Sequence, residues 1–563
     1  MNKIFNHVSR FFIIVIAFGI LLAACSSEPL PKGTFKNGLV ISAEQLASQV
    51  GVDILKKGGN AVDAAIAVSY ALAVTYPTAG NIGGGGFIVI RQPNGEVAAF
   101  DYREKAPGKA YRDMYLDEKG EVQTQLIRRG ALACGVPGTV AGTLKALEQY
   151  GTMSREEVLQ PAIMLADTGY FLRSTIGGRN PRNFSQFEST AAIFLKPDGS
   201  QWEEGERFIQ KDLAQTLRII AEKGRDGFYK GENADRVART MEKYGGLISR
   251  EDLAAYEAIE REPIKGTYRG YDIVSMSPPS SGGTCLMQIL NIMEQYPIGE
   301  MGYNSPEAVH IMAEAMRRTY ADRAQYLGDP DFNDIPIKKL ISKEYAKMRA
   351  ADIDLKKATP SSDVLHGDVS VIALESEETT HFSVIDKNGM AVALTTTLEG
   401  GYGSYLVVEG AGFLLNNQMG DFSAKPGVPN TYGLLGGEAN AIAANKRMLS
   451  SMTPTIVSKD GETFLIAGAA GGSRIITMVL QSISNVIDHG LNAQEAFNVP
   501  GIHHQWYPDE IGQSRLWSEE TRAKLEAMGH KIGRRGVTTA QGILVDLQTG
   551  YYTADSTRAL GHE

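Results

Sequence analysis

The chain has 563 residues, of which 43% are hydrophobic and 21% charged, and it carries a formal net charge of −9. This balance excludes a disordered or collagen-like chain and leaves ample apolar material for a folded core. With no basic patch to complement the acidic total, it also argues against a nucleic-acid partner. Length alone allows roughly three to four domains, and the 61 glycines point to tight turns and close backbone approach.

Taken in chain order, the first 24 residues read as a targeting segment. Lys3 and Arg10 precede an apolar run from Phe11 to Leu22, short of the ~20 residues that a membrane-spanning helix needs. Leu22-Ala23-Ala24-Cys25 then has the form of a lipobox, with cleavage before Cys25 and a lipid on its sulfur. The expectation is an exported, lipid-anchored protein, and Ser26 after the cysteine points to the outer membrane, facing the periplasm. Residues 25–36, with Pro29 and Pro31, read as a tether. Cys134 and Cys285 remain; their spacing leaves a disulfide open, and the apolar surroundings of Cys134 favour a buried free thiol.

Asn60 followed by Asp63 predicts a helix start, and Val62 to Val74 is apolar nearly all round, as in a helix buried on every side. Ser154 with Glu157 predicts a capping box opening a second helix, and Ser305-Pro306 opens a third that runs through Met312 and Met316 toward Gly328. Strand patterns follow at Phe382–Ile385, Ala391–Thr397, Thr455–Val457 and Thr463–Ala467, the last two joined by a turn at Lys459-Asp460-Gly461. Helices and hairpins in these numbers predict an α+β fold.

Several chemistries are missing. There is no G-x-S-x-G elbow, no H-E-x-x-H helix, and the Gly83–Gly86 run lacks the lysine of a phosphate loop. His503-His504 is a lone pair, so no metal site and no cofactor are expected.

The remaining candidate is Thr379-Thr380-His381-Phe382-Ser383. Alone it is a plausible strand start. Asp386-Lys387-Asn388-Gly389-Met390, however, reads as a three-residue hairpin loop with glycine in the left-handed position. If Asp386 pairs with Met390, Thr379 stands opposite Thr397, and two hydroxyls meet at one strand end. A threonine hydroxyl needs a base. A free N-terminal threonine carries one in its own α-amine, whose pKa of about 8 leaves a useful neutral fraction. The chemistry therefore requires cleavage of the Glu378–Thr379 bond, giving a large piece, residues 37–378, and a small piece, residues 379–563.

The run from Thr379 resembles the first residues of the small subunit of bacterial γ-glutamyltransferases, members of the N-terminal nucleophile hydrolases. The resemblance spans nearly the whole mature chain. It includes Thr75-Tyr76-Pro77, Gly80 to Phe87, Asp101 to Pro107, Gly135-Val136-Pro137-Gly138, Pro278 to Gly283 and Ala321-Asp322-Arg323. It continues at Leu415 to Met419 with Asp421-Phe422, Leu449 to Pro454, and Gly471-Gly472-Ser473-Arg474. The family fold implied is an αββα sandwich, two antiparallel sheets between helical layers.

By position, Thr379 resembles the nucleophile and Thr397 its support, while Gly471 and Gly472 resemble the oxyanion-hole residues. Arg103 resembles the arginine that grips a substrate α-carboxylate, although on the residues alone it reads as a surface arginine paired with Glu104. Asp421 and Gln418 resemble the α-ammonium pocket, and Ser450 and Ser451 resemble hydrogen-bonding partners of the carboxylate. Residue for residue, these four otherwise read as loop and turn positions. Glu399 stands where some members carry asparagine and others glutamate, and Tyr432, in Pro429–Gly437, resembles a lid tyrosine. The activity implied is transfer of a γ-glutamyl group from glutathione or a related donor to water or to an amino-acid or peptide amine. Cephalosporin acylases, poly-γ-glutamate-processing enzymes and a non-catalytic binding lipoprotein are the rival readings.

Overall fold

The first expected helix forms because its start is satisfied from both directions. The Asn60 side chain accepts from the backbone N–H groups of Val62 and Asp63, and Asp63 accepts in return from the Asn60 N–H at 2.8 Å. The helix spans Ala61–Thr75, one residue longer than expected at each end, and every residue in it is buried. The capping box at Ser154 opens Arg155–Thr168, and Ser305 caps Pro306–Tyr326. In this computed structural model the described residues are 34–177, 181–365, 379–427, 437–513, 517–533, 540–555 and 559–562. Cys25, Ser26, Glu378 and Tyr432 lie outside them.

Two antiparallel sheets are stacked face to face. In the first, Gly38–Ser42 pairs with Thr379–Asp386, which pairs with Ala391–Thr397, then Gly85–Arg91, Val97–Asp101 and Ile259–Arg261. In the second, the order runs Tyr551–Ala554, Ala540–Asp546, Glu462–Ala469, Thr455–Lys459, Tyr271–Ser275 and Ile264–Tyr268. The expected turn between Thr455–Lys459 and Glu462–Ala469 contracts to Asp460 and Gly461, both at positive φ, as a two-residue hairpin requires.

Side chains alternate along each strand of the first sheet. Phe382, Val384, Val392, Leu394, Ile88 and Ile90 join one apolar core with Ala61–Thr75 and its neighbouring helices. Phe87, Val89, Ile385, Ala391 and Ala393 face the other way. They join a second core with the second sheet and the helices Gly282–Met293, Pro306–Tyr326 and Arg474–Ile487. The layer order is helix, sheet, sheet, helix, so the αββα expectation holds. The several domains that length allows do not form: Phe35–Glu563 is one compact unit, because both cores draw on strands from both halves of the sequence.

Cys134 and Cys285 are separate buried free thiols. Burial pushes each up to about 12, so neither is a ready nucleophile near neutral pH.

Candidate active site

The hairpin has the expected register. The Asp386 N–H donates to the Met390 carbonyl at 3.1 Å and Gly389 takes φ +83, so Thr379 falls opposite Thr397. Their hydroxyl oxygens are 3.4 Å apart, longer than a strong O–H···O bond. The Thr397 hydroxyl also accepts from the Glu399 N–H at 2.8 Å. On the other side, Gly85 pairs with Thr397. A β-carbon on Gly84 would stand 2.1 Å from the Thr397 carbonyl oxygen, so the glycine run allows the neighbouring chain to lie directly against the strand that holds the threonine pair. Asn81 secures the same point, donating to the Thr397 carbonyl at 3.0 Å while accepting from the Gly84 N–H at 2.9 Å.

The substrate-head candidates also converge. Arg103 is not a surface residue. Its side chain is 1% exposed and Glu104 beside it is 0% exposed: the backbone at Met448 and Leu449 crosses Arg103, and Gly85 lies against the Glu104 carboxylate. The Arg103 guanidinium donates to the carbonyls of Met448 and Leu449, each at 3.3 Å, and to the Asp421 carboxylate. Gln418 donates to the same Asp421 oxygen at 2.7 Å. Gln418 and Asp421 belong to one tight turn, Gln418–Asp421, which explains why two residues three apart reach one point. The loop reading fails for Gln418, which is buried.

Ser450 and Ser451 continue the strand-like stretch that crosses Arg103. The Ser450 hydroxyl accepts from the Met452 N–H at 3.1 Å, and the Ser451 hydroxyl accepts from Arg323 at 3.1 Å. Among the described residues each hydroxyl accepts one bond, and a hydroxyl also carries a proton to donate. The turn-capping reading and the carboxylate-binding reading are therefore compatible at Ser450.

Gly471 and Gly472 have φ of +114 and +56. They follow the strand Glu462–Ala469 and precede the helix Arg474–Ile487. Gly468 in that strand packs on His381, leaving no room for a β-carbon, and His381 is two residues from Thr379. The strand runs antiparallel to the direction of Thr379–Asp386, so it delivers the glycine pair to the end of the sandwich that carries Thr379. A φ of +114 is essentially glycine-only, which accounts for the residue type at 471.

Three contributors were not legible as site residues. Glu104 is fully buried, and desolvation, partly countered by the Arg103 charge, raises its pKa to about 7. Asn416 ties three motifs together: its amide donates to the carbonyls of Gly83 and Gly135 and accepts from the N–H of Gln418. Arg323 supports both Ser451 and Ser281. All three fall inside the motifs that carry the resemblance, Asp101 to Pro107, Leu415 to Met419 and Ala321-Asp322-Arg323, but only spatial contact assigns their partners.

His310, Glu314 and His530 also come together, all buried, from positions 220 residues apart. The two rings hydrogen-bond to each other at 2.8 Å, and Glu314 is paired with Arg317 and Arg318. With two guanidiniums already neutralising its carboxylate, this group has the chemistry of a buried ion-pair network. His503 and His504 are buried too, bonded to Thr477 and Asp509. Burial lowers the His504 pKa to about 4, which keeps it neutral.

Comparison with known proteins gives a consistent answer. A sequence profile described as Gamma-glutamyltranspeptidase matches residues 47–562. The chain is 49% identical over 572 residues to a glutathione hydrolase proenzyme of Escherichia coli strain K12, covering 99% of this chain and 98% of that protein. Among solved structures, it resembles a γ-glutamyltranspeptidase of Helicobacter pylori, at 48% identity and a TM-score of 0.58, over 60% of this chain and 97% of that one. It also resembles a cephalosporin acylase of Bacillus halodurans, at 26% identity and a TM-score of 0.79, over 95% of this chain and 97% of that one.

Proposed function

The chain belongs to the γ-glutamyltranspeptidase family, and from that premise we propose that it is a self-processing γ-glutamyltransferase and glutathione hydrolase with Thr379 as nucleophile. The observation that carries this reading is the Arg103–Asp421–Gln418 cluster, with Glu399 packing its carboxylate against Gly420 of the same turn and donating its N–H to the Thr397 hydroxyl, which faces Thr379. A buried cation beside a carboxylate is the complement of an α-amino-acid head, whose carboxylate and ammonium share one carbon.

The proposed sequence begins with processing. The Thr379 hydroxyl attacks the Glu378 carbonyl carbon and the peptide nitrogen departs as the Thr379 amine. Water then hydrolyses the resulting ester, returning the hydroxyl and leaving a Glu378 carboxylate. In turnover that amine accepts the hydroxyl proton as the oxygen attacks the γ-carbonyl of the donor. Backbone N–H groups at Gly471 and Gly472 receive the negative charge on the carbonyl oxygen. The amine passes its proton to the departing nitrogen, and a γ-glutamyl ester remains on Thr379. Water or an acceptor amine attacks the ester, yielding glutamate or a new γ-glutamyl amide and restoring the hydroxyl. Arg103, Ser450 and Ser451 hold the α-carboxylate, and Asp421, Gln418 and Glu399 hold the α-ammonium. The acylase alternative lacks a use for a paired cation and anion at this depth.

The test is release of nitroaniline from a γ-glutamyl anilide. The wild-type protein should release it and Thr379→Ala should not. Silence from correctly processed wild-type protein, with cleavage of an acyl anilide that has no α-amino-acid head, would favour the acylase.

We also propose export and lipid anchoring through Cys25, at the outer membrane facing the periplasm. This rests on Lys3, Arg10, the Phe11–Leu22 run, the lipobox and Ser26. Cys25→Ala should move the protein from the membrane to the soluble fraction, and a variant that still pellets with membranes would contradict the anchor.

A further inference from the structure

Gly420 lies between Met419 and Asp421 in the turn that presents Gln418 and Asp421. It is not among the residues at positive φ, so its backbone has no need of glycine. What its neighbours require is space. A β-carbon on Gly420 would stand 3.0 Å from Oε1 and 3.4 Å from Cδ of Glu399, and 3.0 Å from Cγ2 of Ile127. Ile127 is buried and packs with Met419 and Phe422, so it cannot retreat cheaply. Glu399 is constrained as well: it takes φ +77, is 7% exposed, and its N–H is committed to the Thr397 hydroxyl. The carboxylate of Glu399 is therefore seated on the bare face of Gly420, against the turn that carries Asp421.

We propose that Gly420 is a positioning residue that sets donor selectivity: by lacking a side chain it seats the Glu399 carboxylate beside Asp421 and so builds a two-carboxylate subsite for the α-ammonium. This inference rests on the γ-glutamyl reading of the site. One guanidinium, Arg103, serves the α-carboxylate; two carboxylates facing a substrate that brings a carboxylate without an ammonium repel it. The site accordingly discriminates L-glutamate and γ-glutamyl compounds from glutarate and glutaryl compounds, which keep the acyl chain and the carboxylate but lack the ammonium. A side chain at 420 tilts the Glu399 carboxylate away, weakens ammonium binding and leaves the Arg103 contacts in place.

The experiment is calorimetric titration of L-glutamate and of glutarate into processed protein, which does not depend on turnover, with KM and kcat for a γ-glutamyl anilide measured alongside. Gly420→Ala should raise the Kd for L-glutamate and the donor KM about tenfold, with kcat nearly unchanged and the glutarate Kd unchanged or lower. In the Glu399→Ala background, where the carboxylate is gone, Gly420→Ala should have no further effect on L-glutamate. Equal weakening of both ligands, an unchanged ratio between them, or additive losses in the double variant would overturn the proposal. If wild-type protein binds L-glutamate with the predicted preference but fails to cleave the anilide, the γ-glutamyl reading of the reaction fails and the positioning role stands. If Gly420→Ala does not accumulate as processed protein, Gly420→Ser in the Glu399→Ala background supplies the same comparison: the proposal requires that variant to fold and to bind L-glutamate as Glu399→Ala does, and a defect there would count against it.

Discussion

At Arg103 the arrangement of charge determines what substitution does. The guanidinium contacts Asp421 and two carbonyls, and sits beside Glu104. Arg103→Lys keeps the charge and loses the planar fork. Hydrogen bonds to charged groups contribute about 1.5–3 kcal/mol each, so the donor KM should rise roughly tenfold to a hundredfold while the protein still cuts itself. A KM within twofold of wild type would show that Arg103 does not hold the donor. Glu104 makes a different prediction. Its folded pKa is raised to about 7 by burial, above an unfolded value near 4.3. The folded state therefore holds the proton more tightly. Its contribution to stability is complete below the unfolded pKa and is lost as pH rises through about 7, an effect on the order of 3 kcal/mol. Thermal melts at pH 5 and pH 8 should differ less in Glu104→Gln than in wild type, and an identical pH dependence would contradict the buried protonated carboxyl. In sequence, Arg103-Glu104-Lys105 has the pattern of a solvated charged run. Nothing local signals that Met448–Ser451, some 345 residues on, covers it.

The hairpin Thr379–Thr397 was the most legible element, because its loop residues and alternation fix one register and the register alone juxtaposes the hydroxyls. The glycine run beside it was legible as a close approach but not as an approach to a specific partner. Gly83, Gly84 and Gly86 would place β-carbons 2.1, 2.1 and 2.2 Å from the carbonyl oxygens of Leu414, Thr397 and Thr395. Contacts that short cannot be absorbed by a rotamer change, since both atoms belong to backbone. Gly84→Ala must part the strand Gly85–Arg91 from Ala391–Thr397 at the end where Thr379 is held. Self-cleavage, followed by gel, should slow at least tenfold; processing at the wild-type rate would show that this packing does not position the threonine pair. The oxyanion role proposed for Gly471 and Gly472 rests on resemblance; the backbone explains only the residue type, since the φ of Gly471 admits no ordinary residue.

Across the whole molecule, the cut proposed at Glu378–Thr379 would not separate the fold into two bodies. In the first sheet the small piece contributes Thr379–Asp386 and Ala391–Thr397 between Gly38–Ser42 and Gly85–Arg91 of the large piece. In the second sheet Thr455–Lys459 of the small piece pairs with Tyr271–Ser275 of the large. Near the far end of the large piece, Ser361 is held by Trp506 and Asp509 of the small piece. The two pieces should therefore co-elute under native conditions after processing and separate only in denaturant; elution as separate species would contradict the shared sheets. The length of the chain misleads at this scale, because interleaving of strands, which no local pattern reveals, makes one body of what could have been several. The central claim is that Thr379 becomes the free N-terminal nucleophile, and sequencing the first residues of the small piece tests it most directly. The account predicts Thr379-Thr380-His381-Phe382-Ser383 at its start in wild-type protein and an uncut chain in Thr379→Ala. A small piece beginning at any other residue, or a Thr379→Ala chain that still splits there, would contradict it.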